Sequence, residues 1–245
     1  MRLVRLFVDA PLQPGSELPL PEGAARHALR VLRMKAGHQV MLFNGDGQQY
    51  PARLTTDNPR APRVRVEGVE SPVVESRLRV TLLQAFARGE KMDWIIQKAT
   101  ELGVARIVPV VSERSEVRLD AARGDKRRDH WRAVAIAACE QSRRNLVPEV
   151  SVPMTLAAYP AAHADGEPGD RWMLHPGAAI GVHDLAPSRG SIVLAVGPEG
   201  GFGERDVSVL HEAGFREFAL GPRILRTETA GIAALAALQT VYGDF

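Results

Sequence analysis

The sequence predicts an α/β protein in two parts: a small N-terminal β-barrel over residues 1–74, then a domain over residues 75–245 in which helices cover a parallel sheet. Three observations carry this. Up to Val69 the apolar residues come in short alternating runs broken by turn residues; from residue 78 strands and helices take turns; and Glu70-Ser71-Pro72 to Glu75 has the composition of a linker between the two textures.

In the barrel, the expected strands are Leu6-Phe7-Val8, Gln39 to Phe43, Gln49 to Leu54, and Arg63 to Val66. Asn44-Gly45-Asp46-Gly47, between the second and third, is a hairpin signal. One helix interrupts them near Ala24 to Arg33, where His27, Arg30 and Arg33 fall three apart and so share a face.

In the second part, Arg79 to Ala85 reads as a strand and Lys91 to Leu102 as a helix. Met92, Ile95, Ile96, Ala99 and Leu102 point inward on that helix, and Gly103 is its stop. Val104 to Val111 is the next strand. Arg127 to Arg143 is a long helix with Trp131, Val134, Ala138 and Cys139 near one face; Trp94 and Trp131 are both expected in the core. Ala157 to Gly169 reads as a flexible loop. Three more strands follow, at Trp172 to Leu174, Ser191 to Val196 and Glu217 to Leu220, with helices from Glu204 to Ala213 and from Thr227 to Val241.

The composition closes off several classes. With 245 residues, 45% hydrophobic, the chain can bury a full core, which excludes disorder, collagen and a small disulfide scaffold. No apolar run approaches a membrane span, and Met1 to Pro11 is interrupted by Asp9, unlike a secretory signal, so a cytoplasmic protein is expected. The single Cys139 permits no internal disulfide and reads as a buried small hydrophobe; without Cys/His spacing, no metal is expected.

Net charge is +2, but it is unevenly spread: +2 over residues 1–76, +6 over 77–145 and −6 over 146–245. Of the 31 cations 27 are arginine, whose planar fork suits phosphates and base edges. This favours a nucleic-acid partner, the alternative being a genome whose base composition favours arginine codons.

Three loops, each following a buried strand of the second part, outline one pocket: Leu174-His175-Pro176-Gly177, Gly197-Pro198-Glu199-Gly200-Gly201, and Leu220-Gly221-Pro222-Arg223-Ile224-Leu225-Arg226. Ligands of open α/β sheets bind beyond the carboxyl ends of the strands. Glycine lets the backbone approach a ligand and offer its N–H and C=O groups, which suits adenine and ribose. The Gly197 loop matches neither GxGxxG nor the P-loop, no lysine stands near it in the sequence, and Glu199 and Glu204 would repel a phosphate. A cationic nucleoside without phosphates, such as S-adenosylmethionine, fits better; an ordinary tight turn is the plain alternative.

Taken together the motifs match a family. The runs Gly197-Pro198-Glu199-Gly200-Gly201-Phe202 with Glu204, and Leu220 to Ala230 (LGPRILRTETA), resemble the knotted SPOUT methyltransferases, specifically the small-subunit ribosomal RNA uridine-N3 methyltransferase E family. The resemblance extends to Lys98 to Val104 (KATELGV), Ser112 to Ser115, Glu140 to Arg144 with Pro148, Arg5 to Val8, and His27 to Arg33, nearly the whole length in order. It implies a PUA-like barrel, an α/β domain with a deep C-terminal trefoil knot, and a homodimer with cofactor sites beside its interface. It also implies methyl transfer from S-adenosylmethionine to uridine N3 in 16S ribosomal RNA, within an assembled or assembling small subunit.

On that basis Leu174, His175, Gly197, Pro198, Glu199, Gly200, Gly201, Leu220, Gly221, Ile224, Leu225 and Thr229 are cofactor candidates. Arg226 is the first catalytic candidate, because a guanidinium would stabilise the charge that develops on O2 and O4 as N3 loses its proton; Glu228 would orient it or accept that proton. Their structural alternative is an ion pair capping the last helix. For Glu199 it is a solvated turn carboxylate, for Thr229 a helix-start hydroxyl, and for His175 a packed or solvated side chain. The RNA candidates are Lys91, Lys98, Arg114, Arg127, Arg128, Arg143 and Arg144 in the basic middle third, with His27, Arg30 and Arg33 as a second patch. Two other readings stay open: a SPOUT methylase acting on transfer RNA or a ribose hydroxyl, and a non-catalytic RNA-binding module.

Overall fold

The computed structural model describes residues 3–56, 58, 61–115, 121–163, 169–185 and 190–245. The chain divides into two compact units, Met1–Glu75 with Ile136–Val147, and Ser76–Ala135 with Pro148–Phe245.

In the first unit β1 (Val4–Phe7), β2 (Glu17–Pro19), β3 (Gln39–Phe43), β4 (Tyr50–Thr56) and β5 (Arg63–Val66) form one sheet in the order β1-β3-β4-β5-β2. β1 and β3 are parallel and the other pairs antiparallel. Among the described residues the sheet runs from β1 at one end to β2 at the other; β2 is three residues long and stops at Pro19, which has no N–H to donate. Side chains alternate as half-buried strands require, so that Val64 and Val66 of β5 join Leu6, Val40, Leu42 and Leu54 in the core while Arg63 and Arg65 face water. The β3–β4 turn forms at Asn44 to Gly47, where Gly45 and Gly47 take φ of 93° and 88° and the side chains of Asn44 and Asp46 accept the N–H groups two residues on.

The expected helix at 24–33 starts and ends two residues earlier and is wider in its second part. α1 (Glu22–Ala25) runs into a π-helical turn, Arg26–Val31, in which Leu32 N–H donates to His27 C=O. Met34 thereby returns to the core below Ala24 and Ala28, and Arg33 leaves the helix with φ +53°. The linker reading of residues 70–75 also changes at its end. The Glu75 carboxylate accepts the backbone N–H groups of Asn145 and Leu146, both at 3.0 Å, and pairs with Arg144 at 2.8 Å. Arg5 completes this buried network through Arg144 C=O and Asn145 Oδ1.

In the second unit β6 (Arg79–Ala85), β7 (Arg106–Val111), β8 (Glu149–Val150), β10 (Asp170–Leu174), β11 (Ser191–Val196) and β12 (Arg216–Phe218) lie in the order β12-β10-β11-β6-β7-β8, and β9 (Met154–Thr155) pairs with β7. Every pair is parallel. Both faces are covered, as parallel sheets require. Leu83 and Ala85 of β6, with Val108, Val110 and Ala195, pack beneath Leu210 of α5 (Glu204–Glu212), Leu156, and Tyr159 of α4 (Tyr159–Ala162). The alternate residues Leu82 and Gln84 belong to the other face, beside α2 (Lys91–Glu101) and α6 (Thr227–Tyr242). Thr227, Gly231, Ala234, Leu235 and Leu238 are the buried stripe of α6 at helical spacing. The expected loop 157–169 thus contains the α4 turn, with Tyr159 buried; residues 164–168 lie outside the described ones.

α3 (Ala121–Ser142) begins six residues before the expected Arg127, and its turns from Ile136 onward group with the first unit. Trp131 is buried against the Phe86 ring, with its indole N–H on Asp93. Trp94 is not core: it is 43% exposed, because the inward stripe of α2 runs through Met92, Ile95, Ile96 and Ala99 and leaves position 94 outside it. Cys139 is buried, and burial pushes its thiol up to about 12. No described helix is long and apolar enough to cross a membrane.

Candidate functional site

β12, β10 and β11 are neighbours and parallel, so the loops that follow them leave the sheet side by side. They enclose a cavity of about 450 Å³. Leu174 and His175 line it from the first loop, Gly197 to Gly201 from the second, and Leu220, Gly221, Ile224 and Leu225 from the third. The three loops singled out in the sequence therefore share one cavity.

Each loop is held by specific contacts. Gly197 cannot be replaced by a larger residue without movement: a Cβ there would sit 3.1 Å from Phe202 N and 3.2 Å from Gly201 C, both rigid backbone. Gly201 closes a turn on Pro198 C=O at 2.9 Å with φ +69°, and Gly221 takes φ +82°. Thr227, buried at the start of α6, donates its hydroxyl to Gly197 C=O at 2.6 Å and accepts Gln84 Nε2 at 3.2 Å. Arg114 donates to Gly200 C=O at 2.8 Å. Asp206, in the first turn of α5, accepts the N–H groups of Gly203 and Glu113, joining the loop after β11 to the loop after β7.

Charge at the rim centres on Lys91. Its ammonium lies 2.9 Å from Glu199 and 3.2 Å from Glu228. Burial acts to raise the Glu199 pKa, but the Arg88 N–H and the Lys91 ammonium outweigh it and hold the carboxyl below its usual range. His175 lines the cavity with its side chain 43% exposed; its Nδ1 is 3.4 Å from Glu217, whose other oxygen is 3.1 Å from His211 Nε2. Ile224, 84% exposed, stands at the rim.

Several candidates are placed differently from the sequence reading. Thr229 is exposed and outside the cavity wall; within the first turns of α6 that wall is Thr227 and Ala230, because only the face at that spacing turns inward. Arg226 is the exposed N-cap residue of α6, its carbonyl accepting the N–H groups of Thr229 and Ala230, and Glu228 turns toward Lys91. Neither lines the cavity. Lys91 and Arg114, expected to be free for RNA, are engaged at the cavity rim and wall. Arg144 is not a surface contact at all: it is buried and paired with Glu75.

The other RNA candidates are on the surface. His27, Arg30, Arg33 and Arg143 are exposed, Arg143 with φ +71° just past α3. Lys98 pairs with Glu101, Arg128 with Asp125 and Asp129, and the Arg127 guanidinium lies over the Phe86 ring.

Gln84, Asp206 and Thr227 escaped the sequence reading. A glutamine inside the apolar strand Val80 to Ala85 was the clearest signal; each of the three has a partner far away along the chain, Thr227 for Gln84, Glu113 for Asp206 and Gly197 for Thr227.

A family model described as an RNA methyltransferase domain matches residues 74–239, and one described as an RNA methyltransferase PUA domain matches residues 20–67. The chain is 31% identical to the ribosomal RNA small subunit methyltransferase E of Buchnera aphidicola, over 99% of this chain and 98% of that one. Among solved structures, it resembles the ribosomal RNA small subunit methyltransferase E of Neisseria gonorrhoeae bound to S-adenosylmethionine (TM-score 0.90, 38% identity, all of both chains). It also resembles a methyltransferase of Legionella pneumophila with the same cofactor bound (TM-score 0.93, 36% identity, all of both chains). The chain belongs to the ribosomal RNA small subunit methyltransferase E family of RNA methyltransferases.

Proposed function

We propose that the protein transfers a methyl group from S-adenosylmethionine to N3 of a uridine in small-subunit ribosomal RNA, in the cytoplasm and as a homodimer. The observation that carries the reading is the cavity of about 450 Å³ walled by the three loops, with main-chain groups presented by glycines and a carboxylate at its edge. A compact nucleoside with a cationic sulfur fits that wall; a phosphate would meet Glu199 and an Arg114 already engaged by Gly200. The family resemblance is what supports the choice of base, the dimer and the C-terminal knot in this reading.

When bound, the cofactor supplies an electrophilic methyl carbon on a positive sulfur. The chain does the rest. The glycine loops hold the adenosyl group through backbone N–H and C=O, and Thr227 fixes the direction of the Gly197 carbonyl. Arg226, two residues from Glu228, stabilises the negative charge that spreads to O2 and O4 as N3 is deprotonated, and Glu228 receives the proton on the oxygen that Lys91 does not hold. The exposed cations of both units hold phosphates without reading sequence.

The test is methylation of small-subunit and transfer RNA, followed by mass spectrometry of the nucleosides. The reading expects 3-methyluridine from the small-subunit RNA; a ribose-methylated product, or product from transfer RNA alone, would contradict it.

A further inference from the structure

We propose that Lys91 is a positioning residue for methyl transfer, clamping Glu199 of the cofactor loop to Glu228 on the first turn of α6. The inference rests on the function proposed above and assigns a role that neither the motifs nor the cavity wall contains. Lys91 opens α2 just beyond β6, and β6 is the neighbour of β11, whose loop carries Glu199. Its Nζ donates to Glu199 Oε1 at 2.9 Å and forms an ion pair at 3.2 Å with Glu228 Oε2, an oxygen closed off from solvent that accepts no hydrogen bond among the described residues. The same Glu199 oxygen accepts the Arg88 N–H at 3.1 Å.

Without the ammonium, the carboxylate of the loop after β11 and that of the first turn of α6 would face each other across a partly dry space and repel. With it, the loop that lines the cavity and the helix turn from which Arg226 projects are tied into one edge. Glu199 and then Glu228 raise the Lys91 pKa against the opposing effect of burial, so the clamp stays charged. A lysine committed to two carboxylates is poorly placed to take an RNA phosphate, which separates this role from the one its charge alone suggests.

The experiment compares full-length wild type, Lys91→Met and Lys91→Arg in three measurements: kcat on small-subunit RNA, calorimetric Kd for S-adenosylhomocysteine, and KM for RNA at two salt concentrations. Lys91→Met should lower kcat by about tenfold or more while leaving Kd and the salt response of KM near wild type. Lys91→Arg should recover most of kcat. If Lys91→Met folds poorly, Lys91→Met/Glu199→Gln, which removes the repulsion, should regain the wild-type melting temperature while kcat stays low.

An unchanged kcat in Lys91→Met overturns the proposal. So does a raised KM with a shallower salt response, which would mark a phosphate contact, or parallel losses in kcat and Kd that arginine does not rescue, which would mark a merely structural lysine. If wild type itself makes no methylated product, the functional reading fails and the clamp falls with it; an active wild type with an equally active Lys91→Met sinks the clamp alone.

Discussion

A single hydroxyl, that of Thr227, joins the Gly197 loop to the last helix and to β6. Thr227→Val would leave the Gly197 carbonyl and the Gln84 amide short of a partner in a buried place, a cost of about 1–3 kcal/mol. Calorimetry should show S-adenosylhomocysteine binding weakened by roughly tenfold, with Thr227→Ser near wild type. Arg226 gives the opposite pattern. It is exposed at the helix cap and lies outside the cavity wall, so Arg226→Ala should reduce kcat far more than cofactor affinity; equal losses would mark it as a binding residue. At this scale the glycines that line the cavity were legible, since tight turns announce themselves locally. Lys91 and Arg114, read only as RNA contacts, and Gln84 were not legible as residues of the cavity, because their partners lie 108, 86 and 143 residues away and nothing local predicts such pairings.

At the scale of elements, β3, β5, β6 and β11 fall where continuous or alternating apolar runs put them. β8 and β9 are two residues long, too short for any periodicity to show. The first turns of α3 (Ala121 to Lys126) carry no apolar stripe, and the π-turn after α1 widens a helix whose residue types say nothing against ordinary pitch. Gly103 was legible as the stop of α2, and the structure shows why it must be glycine. Its φ is +82°, and an added Cβ would lie 2.9 Å from the amide of Gln239. Gln239 is buried, donating to Leu102 C=O at 3.0 Å and accepting the Ser76 hydroxyl at 2.6 Å, so it ties the end of α6 to the end of α2. Gly103→Ala should therefore lower stability by at least about 1–2 kcal/mol in chemical denaturation, with no shift in the RNA that is recognised.

For the whole molecule, charge was legible only in the aggregate. The excess of cations over residues 77–145 is real, yet it contains side chains of different kinds: Arg144 buried on Glu75, Lys91 and Arg114 at the cavity, and Arg143 in the open. Composition counts them alike; only burial separates them. Arg30→Ala should weaken RNA binding evenly across sequences and reduce the slope of log affinity against log salt by about one, leaving the melting temperature unchanged. Arg144→Ala should do the reverse, lowering the melting temperature because the Glu75 carboxylate loses its charged partner.

All of this depends on the adenosyl group lying against main chain in the cavity of the second unit. Calorimetric titration of S-adenosylhomocysteine into wild type and Gly197→Val tests that directly. A side chain at Gly197 must push aside the backbone of Gly201 and Phe202. The account predicts one-site binding to wild type that is lost in the variant while its far-ultraviolet circular dichroism is retained; wild-type protein that takes up no ligand, or a well-folded variant that binds as tightly, would contradict it.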